Sequence, residues 1–332
     1  MRRSSIVWSG LGVILIALAL VIWLAVVPSA TKFPSSTNTT QHYSGTAEIL
    51  TPTGDLASNL PVTLDRTVKS VKVKGNSIVV TDNSAVQVAG ETLHDNHTYA
   101  LDRKTFLPAT GLFGQTVSGL TVEPTAGYAI TLPMNMKGAG SAYELNDNAT
   151  QTGALMNYHG SSKLHGRKVF HFTATANAEP KGPVTKLLKP ALPSALIEKL
   201  KPNMSPASQH ALTAAGALPE TVPVTYRAET TYDVLVDATI GSPLSVGIDR
   251  TITAYADVNG QSIELIPVQH MVVKTTEQSE KSGAKTAGRA ALLLSVMTIW
   301  LPGLLIVIGV LLLLWIFVRE RRSRQAQGSA DR

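Results

Sequence analysis

Between Ala290 and Val318 the chain reads AALLLSVMTIWLPGLLIVIGVLLLLWIFV, without one charged residue, and Arg319-Glu320-Arg321-Arg322-Ser323-Arg324 closes the run. About 20 apolar residues in a helix cross a hydrocarbon core of roughly 30 Å, so this segment is long enough to span a membrane. A helix at the surface of a soluble domain keeps a polar face, and this run has none. A second uncharged run, Ile6 to Val27, follows Arg2 and Arg3. Two spans put everything between them on one side of the membrane. Any fold must satisfy that constraint first.

The formal charge of +6 invites an acidic partner until it is located. Eight of the 29 basic residues and two of the 23 acidic ones lie outside residues 28–288, leaving 21 of each sign inside that segment. The excess sits in the flanks of the apolar runs, as in the positive-inside pattern of membrane anchors, so no nucleic-acid footprint is present. Basic residues ahead of the first run predict a cytoplasmic N-terminus, and two crossings return the tail to the cytoplasm. The first apolar run exceeds the 7–15 residues of a signal peptide, and Pro28 occupies the −3 place before Ala30; both predict an uncleaved helix.

The segmentation expected is then 1–5 cytoplasmic, 6–27 first span, 28–42 linker, 43–289 extracytoplasmic domain, 290–318 second span and 319–332 basic tail. The outer segment is large enough for a true core. It contains no cysteine, which fits a bacterial exported domain better than a disulfide-rich secreted one. The sequons at Asn38, Asn96, Asn148 and Asn203 accord with chance in a chain rich in Asn, Ser and Thr.

Within that domain, short β-branched stretches separated by Gly, Asn or Asp predict strands at Tyr43–Leu50, Val68–Val73, Ser77–Val80, Ala85–Val88, Val117–Val122, Tyr128–Leu132 and Arg167–Ala174. Alternation is best from Val222 to Thr275, where Asn259-Gly260 suits a type I′ hairpin. The fold class expected is mainly β: an antiparallel, half-barrel-like sheet with a small helical insertion, flanked by one transmembrane helix at each end. Asp102, Asp147 and Asp237 each follow a tyrosine and precede Thr-containing turns, which marks them as Asx-turn residues rather than catalytic acids.

The insertion is Pro180 to Pro219. Ser194 before ALIEKLK, Ser205-Pro206 before ASQHALTAA and Gly216 after it are helix start and stop signals. Leu187, Leu188, Leu192, Leu196, Ile197 and Leu200 form an apolar face beside lysines, suited either to packing on the sheet or to a lid that meets lipid. These six are the candidate lid or lipid-facing residues.

Catalytic and cofactor motifs are missing from the sequence: no G-x-S-x-G elbow, phosphate loop or dinucleotide fingerprint occurs, and cysteine chemistry is excluded. The compact His94-Asp95-Asn96-His97 lacks the further ligands of a metal site. No cofactor and no enzymatic role is expected. Neither apolar run contains an ionisable side chain, so the two helices alone offer no ion path.

The segments RRSSIVWSGLGVILIALALVIWLAVVPSATKFP, YSGTAEIL, TYALDRKTFLPATG, LPMNMKGAGSAYELNDNAT, NYHGSSKLHGRKVFHF and YDVLVDATIGSPL together resemble the actinobacterial porin PorA family. The resemblance covers nearly the whole chain and implies a cell-envelope protein with a channel-forming label. Around Tyr143 this chain is richer in Ala and Thr than the family pattern, and no residue role is carried over. Interrupted short strands and helical anchors do not read as a membrane barrel, which crosses on strands of about ten residues. The physical reading is therefore a doubly anchored extracytoplasmic β-domain that binds or transfers an envelope lipid or glycolipid. A porin and a non-enzymatic envelope scaffold are the alternatives. The partners expected are the bilayer, an envelope lipid or other envelope proteins, with self-association allowed and nucleic acid excluded.

Overall fold

The computed structural model describes residues 3–258 and 260–330. Arg2 and Asn259 lie outside them, as do the side chains of Arg3, Glu320 and Arg324, so the expected Asn259-Gly260 turn is described only at Gly260, whose φ is +77°. The chain divides into two compact units, residues 33–287 and residues 1–32 with 288–332.

The smaller unit is helical. Helix α1 spans Arg3–Val21 and α2 Val27–Ala30, joined by a π-helical turn at Ile22–Val26. Helix α5, Glu277–Ser295, whose residues up to Ala287 belong to the larger unit, leads through a second π-helical turn, Val296–Trp300, into α6, Leu301–Ala330 (α3 and α4 belong to the larger unit). Each π turn ends two residues before a proline, Pro28 and Pro302. Proline lacks an N–H and its ring collides with the turn before it, and a π turn widens the helix where that bond is lost. Helices α1 and α6 pack through glycine: Gly12 and Gly309 are so close that a Cβ on Gly309 would lie 2.8 Å from the Gly12 carbonyl. Small residues permit this approach between membrane helices.

Two helical stretches, Trp8–Ala30 and Glu277–Arg319, are long and apolar enough to cross a membrane. Their outer surfaces carry exposed Trp23, Leu24, Leu292, Ile299 and Trp300, a patch no water-facing helix would sustain. The Arg319 and Arg321 guanidiniums lie over the Trp315 and Phe317 rings at 5.3 and 4.9 Å. The helix begins at Glu277, well before the hydropathy run, because EQSEKSGAKTAG is polar but rich in helix formers.

The larger unit is an antiparallel sheet. Its strands are β1 Asn38–Leu50, β2 Leu56–Lys74, β3 Ser77–Val88, β4 Glu91–Asp102, β7 Tyr143–Asp147, β8 Thr152–Leu164, β9 Arg167–Ala178, β10 Ala191–Pro193, β11 Thr221–Asp237, β12 Pro243–Val258 and β13 Gln261–Thr275. The order across the sheet is β4-β3-β2-β1-β13-β12-β11-β9-β8-β7, and β10 pairs with the start of β11. Strands β5 (Thr116–Val117) and β6 (Leu120–Thr121) form a separate small hairpin. The sheet curls into a half-barrel around a core of Tyr43, Leu64, Phe172, Tyr232, Val246 and Met271. Gly45 lies where β1 meets β13 so closely that any Cβ would collide with the Val272 carbonyl.

Two expectations change here. The strands run to 19 residues in β2 and 17 in β11, not the short pieces expected. Ser, Thr, Asn and His on the solvent face alternate with buried residues, and those outward positions look like breaks when read linearly. Tyr128–Leu132, expected as a strand, contributes only an isolated bridge, Tyr128 to Leu145. That bridge belongs to a segment linking the two free edges: Glu123 N–H donates to Thr98 O of β4, and Tyr128 N–H to Glu144 O of β7. The half-barrel is thus laced together by residues 122–130, not by the 180–219 insertion.

The insertion forms α3, Ser194–Leu200, and α4, Pro206–Ala215. Ser205 caps α4 by accepting from Ser208 N–H at 3.2 Å, and Gly216 ends it with a φ of +79°. Ser194 is not the cap of α3; it is the first helical residue, and its N–H and hydroxyl both donate to Glu220 O. Leu192, Ile197, Leu200, Met204 and Leu212 pack on Val222, Ala254, Ala256 and Ile263, at the end of the sheet opposite Tyr43 and Thr275.

Candidate functional site

The insertion leaves a groove between itself and the inner face of the sheet. Its volume is about 480 Å³, and its walls are Ile49, Val86, Val88 and Leu93 on one side and Leu187, Leu188, Leu192 and Leu196 on the other. Tyr226, another lining residue, donates its hydroxyl to Lys189 O at 2.7 Å and so fixes the segment before β10.

The six residues nominated from sequence separate into two groups. Leu187, Leu188, Leu192 and Leu196 line the groove. Leu187 is 61% exposed, whereas Leu188 and Leu196 are half-buried. Ile197 is not part of the groove wall; it is 0% exposed within the insertion's core. Leu200, also buried, borders a separate cleft with Gly54, Ile266 and Pro267. One turn of α3 separates these fates, since a helix presents positions 196 and 197 about 100° apart.

On the same inner face lies a smaller cavity of about 100 Å³, mainly apolar but bordered also by Arg66, Ser84, Asp95, Asn148 and Arg250. Buried ionic pairs surround it. Arg66 donates to both oxygens of Asp82, Nε at 2.8 Å and Nη2 at 2.7 Å, and Asp82 is fully buried. Burial disfavours the Arg66 charge, but the Asp82 carboxylate more than offsets it and holds the guanidinium above its ordinary range. Asn148 joins this pair, donating to Asp82 Oδ2 at 3.4 Å and accepting from Tyr99 Oη at 3.0 Å. Asp147 accepts from Tyr232 Oη at 2.6 Å and from Thr150 N–H and hydroxyl, with Arg250 3.5 Å away.

His97 sits between two carboxylates, Nδ1 2.6 Å from Glu123 and Nε2 2.9 Å from Asp95. Burial works against its charge, yet the two partners push its pKa up to about 10. The Asp95 contact is close but poorly directed: Asp95 Oδ1 and His97 Nε2 make no well-formed hydrogen bond. An imidazolium has no lone pair left for a metal. His94, three residues away in an alternating strand, faces the other side of the sheet and is exposed. Among the described residues no cluster of three or more acidic and histidine side chains is placed to hold a metal ion.

Asp102, Asp147 and Asp237 each accept backbone N–H groups two or three residues on, at Lys104 and Thr105, Thr150, and Thr239 and Ile240. They set turns, as the sequence indicates. Asp237 also receives a two-pronged contact from Arg167, which with those backbone bonds outweighs burial and holds its carboxyl below the usual range.

Sequence reasoning missed the groove's sheet wall and the polar pairs beneath it. One signal was available: Ile78, Val80, Asp82 and Ser84 share one parity in β3, so a strand with Ile78 and Val80 inward carries Asp82 inward too.

No curated protein sequence matches the chain. Among solved structures, a Nitrosomonas europaea protein described as AttH shares 9% identity over 72% of this chain, with a TM-score of 0.17. The chain spans about half the length of that protein, 51%. A MaoC-like dehydratase shares 10% identity over 76% of this chain and 78% of its own, with a TM-score of 0.14. A family model described as Porin PorA matches residues 4–318, from the first helix to the end of the second span. This membrane protein of the cell envelope, with its half-barrel between two apolar helices, belongs to the porin PorA family.

Proposed function

We propose that the protein is a non-enzymatic, doubly anchored β-domain on the extracytoplasmic side that binds or transfers an envelope lipid or glycolipid by taking an apolar chain into the groove. The observation that carries the reading is the groove itself, about 480 Å³ of mainly aliphatic wall between Val86, Val88 and Leu93 and the insertion leucines. Such a concavity, apolar with a few polar groups beyond it, is the usual form of a small-molecule site. Burying an acyl chain there gains about 0.8 kcal/mol per methylene.

The family description favours a second reading, a channel. A membrane barrel needs an outward apolar band, whereas its lumen is polar. Here the polarity runs the other way. Only six large apolar side chains are exposed among the described residues of 33–287, and they are scattered: Leu56, Val73, Leu107, Leu155, Leu187 and Val272. The inside is filled by Tyr43, Leu64, Phe172 and Met271. A pore would have to come from assembly of the helices with other copies or partners.

The test is mass spectrometry of organic extracts from the purified full-length protein. Leu188→Asp with Leu196→Asp removes the groove's apolar wall, and Leu155→Asp is the control. Enrichment of one lipid in the wild type and the control, lost in the groove variant, supports the reading. Equal, unselective lipid in all three contradicts it. Ile197→Asp is unsuitable, because a carboxylate at a 0% exposed position unfolds the insertion whatever the groove binds.

A further inference from the structure

The cross-strand register of β2, β3 and β4 orders the inner face into rows. The first row from the groove end is Val62–Val88–Glu91, and the second is Leu64–Val86–Leu93. The third is Arg66–Ser84–Asp95, and the fourth is Val68–Asp82–His97. An apolar wall therefore gives way to a polar one within two residues of strand, about 7 Å.

The cavities follow these rows. Val86 borders both the groove and the smaller cavity. On β4, Leu93 borders the groove and Asp95, the next inward residue, borders the cavity. On β13 the same step runs from Gln269 to Met271. The two concavities adjoin through a shared wall residue and consecutive inward positions, and the Arg66–Ser84–Asp95 row gives the inner, still mainly apolar one a polar strip.

Resting on the groove reading above, we infer that the ligand is an amphiphile inserted head first, with a neutral, hydroxyl-bearing head of the glycerol or sugar kind at the Arg66–Ser84–Asp95 row. The charges around the cavity select against the alternative, an anionic head. Arg66 is already held at both forks by Asp82, Arg250 lies against Asp147 and Thr230, and His97 lies between Asp95 and Glu123. The two guanidiniums that border the cavity are thus both already engaged, so an anion meets no free guanidinium there and lies beside the Asp95 carboxylate. A hydroxyl both donates and accepts, and it can complete what the protein leaves open. Asp95 Oδ1 is buried without a well-formed hydrogen bond, and Ser84 stands beside it in register. An inserted hydroxyl can supply the well-directed bond that the poorly aligned His97 contact does not give this acceptor.

The experiment uses full-length protein in amphipol, a fluorescent long-chain probe in the groove, and three competitors with one chain: 1-monopalmitoylglycerol, methyl palmitate and palmitate. Monopalmitoylglycerol is expected to displace the probe at a concentration at least about tenfold lower than methyl palmitate, the factor for one recovered hydrogen bond of about 1.4 kcal/mol. Ser84→Leu, which fills the polar row without touching an ion pair, brings that ratio close to one, and so does Asp95→Asn. Leu155→Asp keeps it. Equal displacement by monopalmitoylglycerol and methyl palmitate overturns the inference while leaving the groove reading intact, and so does palmitate as the strongest competitor. Failure of any chain to displace the probe overturns both.

Discussion

Replacing Asp82 with Asn changes one atom in a buried ion pair of the β-domain. Asp82 is 0% exposed and receives Arg66 through two hydrogen bonds of 2.8 and 2.7 Å. The amide fills the same space but offers one acceptor oxygen and no charge, so Arg66 is left buried and half-paired. Removing one partner of a buried pair costs about 3–5 kcal/mol, because the orphaned charge keeps its desolvation penalty. For a domain of about 250 residues each kcal/mol moves Tm by about 2–4 °C, giving an expected fall of about 6–20 °C. Thermal unfolding of the detergent-purified protein by near-ultraviolet circular dichroism reads this directly. Arg66→Met with Asp82→Leu removes both charges, so it should recover most of the loss despite the bond from Arg66 to Ala129 O. A fall under about 2 °C for Asp82→Asn, or a double variant worse than the single one, would refute the claim that this pair is held as a desolvated unit.

Other parts of the account are open to equally plain tests. His97 has its pKa raised to about 10 against an ordinary 6.5, so its stabilising contribution is complete below about pH 6.5 and is lost as pH rises toward 10; a stability-against-pH curve should slope down across that window in the wild type and less in His97→Gln. Gly309→Leu places a side chain where a Cβ already meets the Gly12 carbonyl at 2.8 Å, and overpacking of this kind costs about 1–3 kcal/mol. Spin labels on the two helices should move apart in that variant. For the membrane orientation, the native absence of cysteine allows a clean labelling experiment. An impermeant maleimide should label Lys163→Cys, at the β8–β9 turn, in intact cells, and Ser323→Cys only after lysis.

The spans were legible because an uncharged run of this length has few other uses. The β class was legible as well, from alternation in β11 to β13 and from Asp102, Asp147 and Asp237 as turn formers. Strand length was not, because the solvent face of β2 and β8 is built of Asn, Thr, Ser and Lys that read locally as loop. The lacing of the two sheet edges by Glu123 and Tyr128 is a contact between residues far from their partners in sequence, and no local pattern encodes it. The helical start at Glu277 was hidden for a different reason. Ser279, Glu280, Ala284 and Ala287 are buried by packing, although their composition reads as a polar tether.

The candidate site was half visible. An apolar face on the insertion could be seen, and four of its six residues line the groove. Which leucines face the groove and which the core depends on the rotation of α3, and a seven-residue helix between prolines leaves that phase undefined in the sequence. The opposing wall was invisible for want of register. Val86 and Leu93 become neighbours only when β3 and β4 pair as they do. The same register brings Arg66, Ser84 and Asp95 into one row from three separate strands.

The central claim is that the groove between the insertion and the inner face of β3 and β4 holds an apolar chain. Lipid mass spectrometry of the full-length protein beside the Leu188→Asp, Leu196→Asp variant tests it most directly. The account predicts one lipid class at near-stoichiometric amount in the wild type, retained in Leu155→Asp and lost in the groove variant. The same mixture of bulk membrane lipids in all three proteins, with no enriched species, would contradict it.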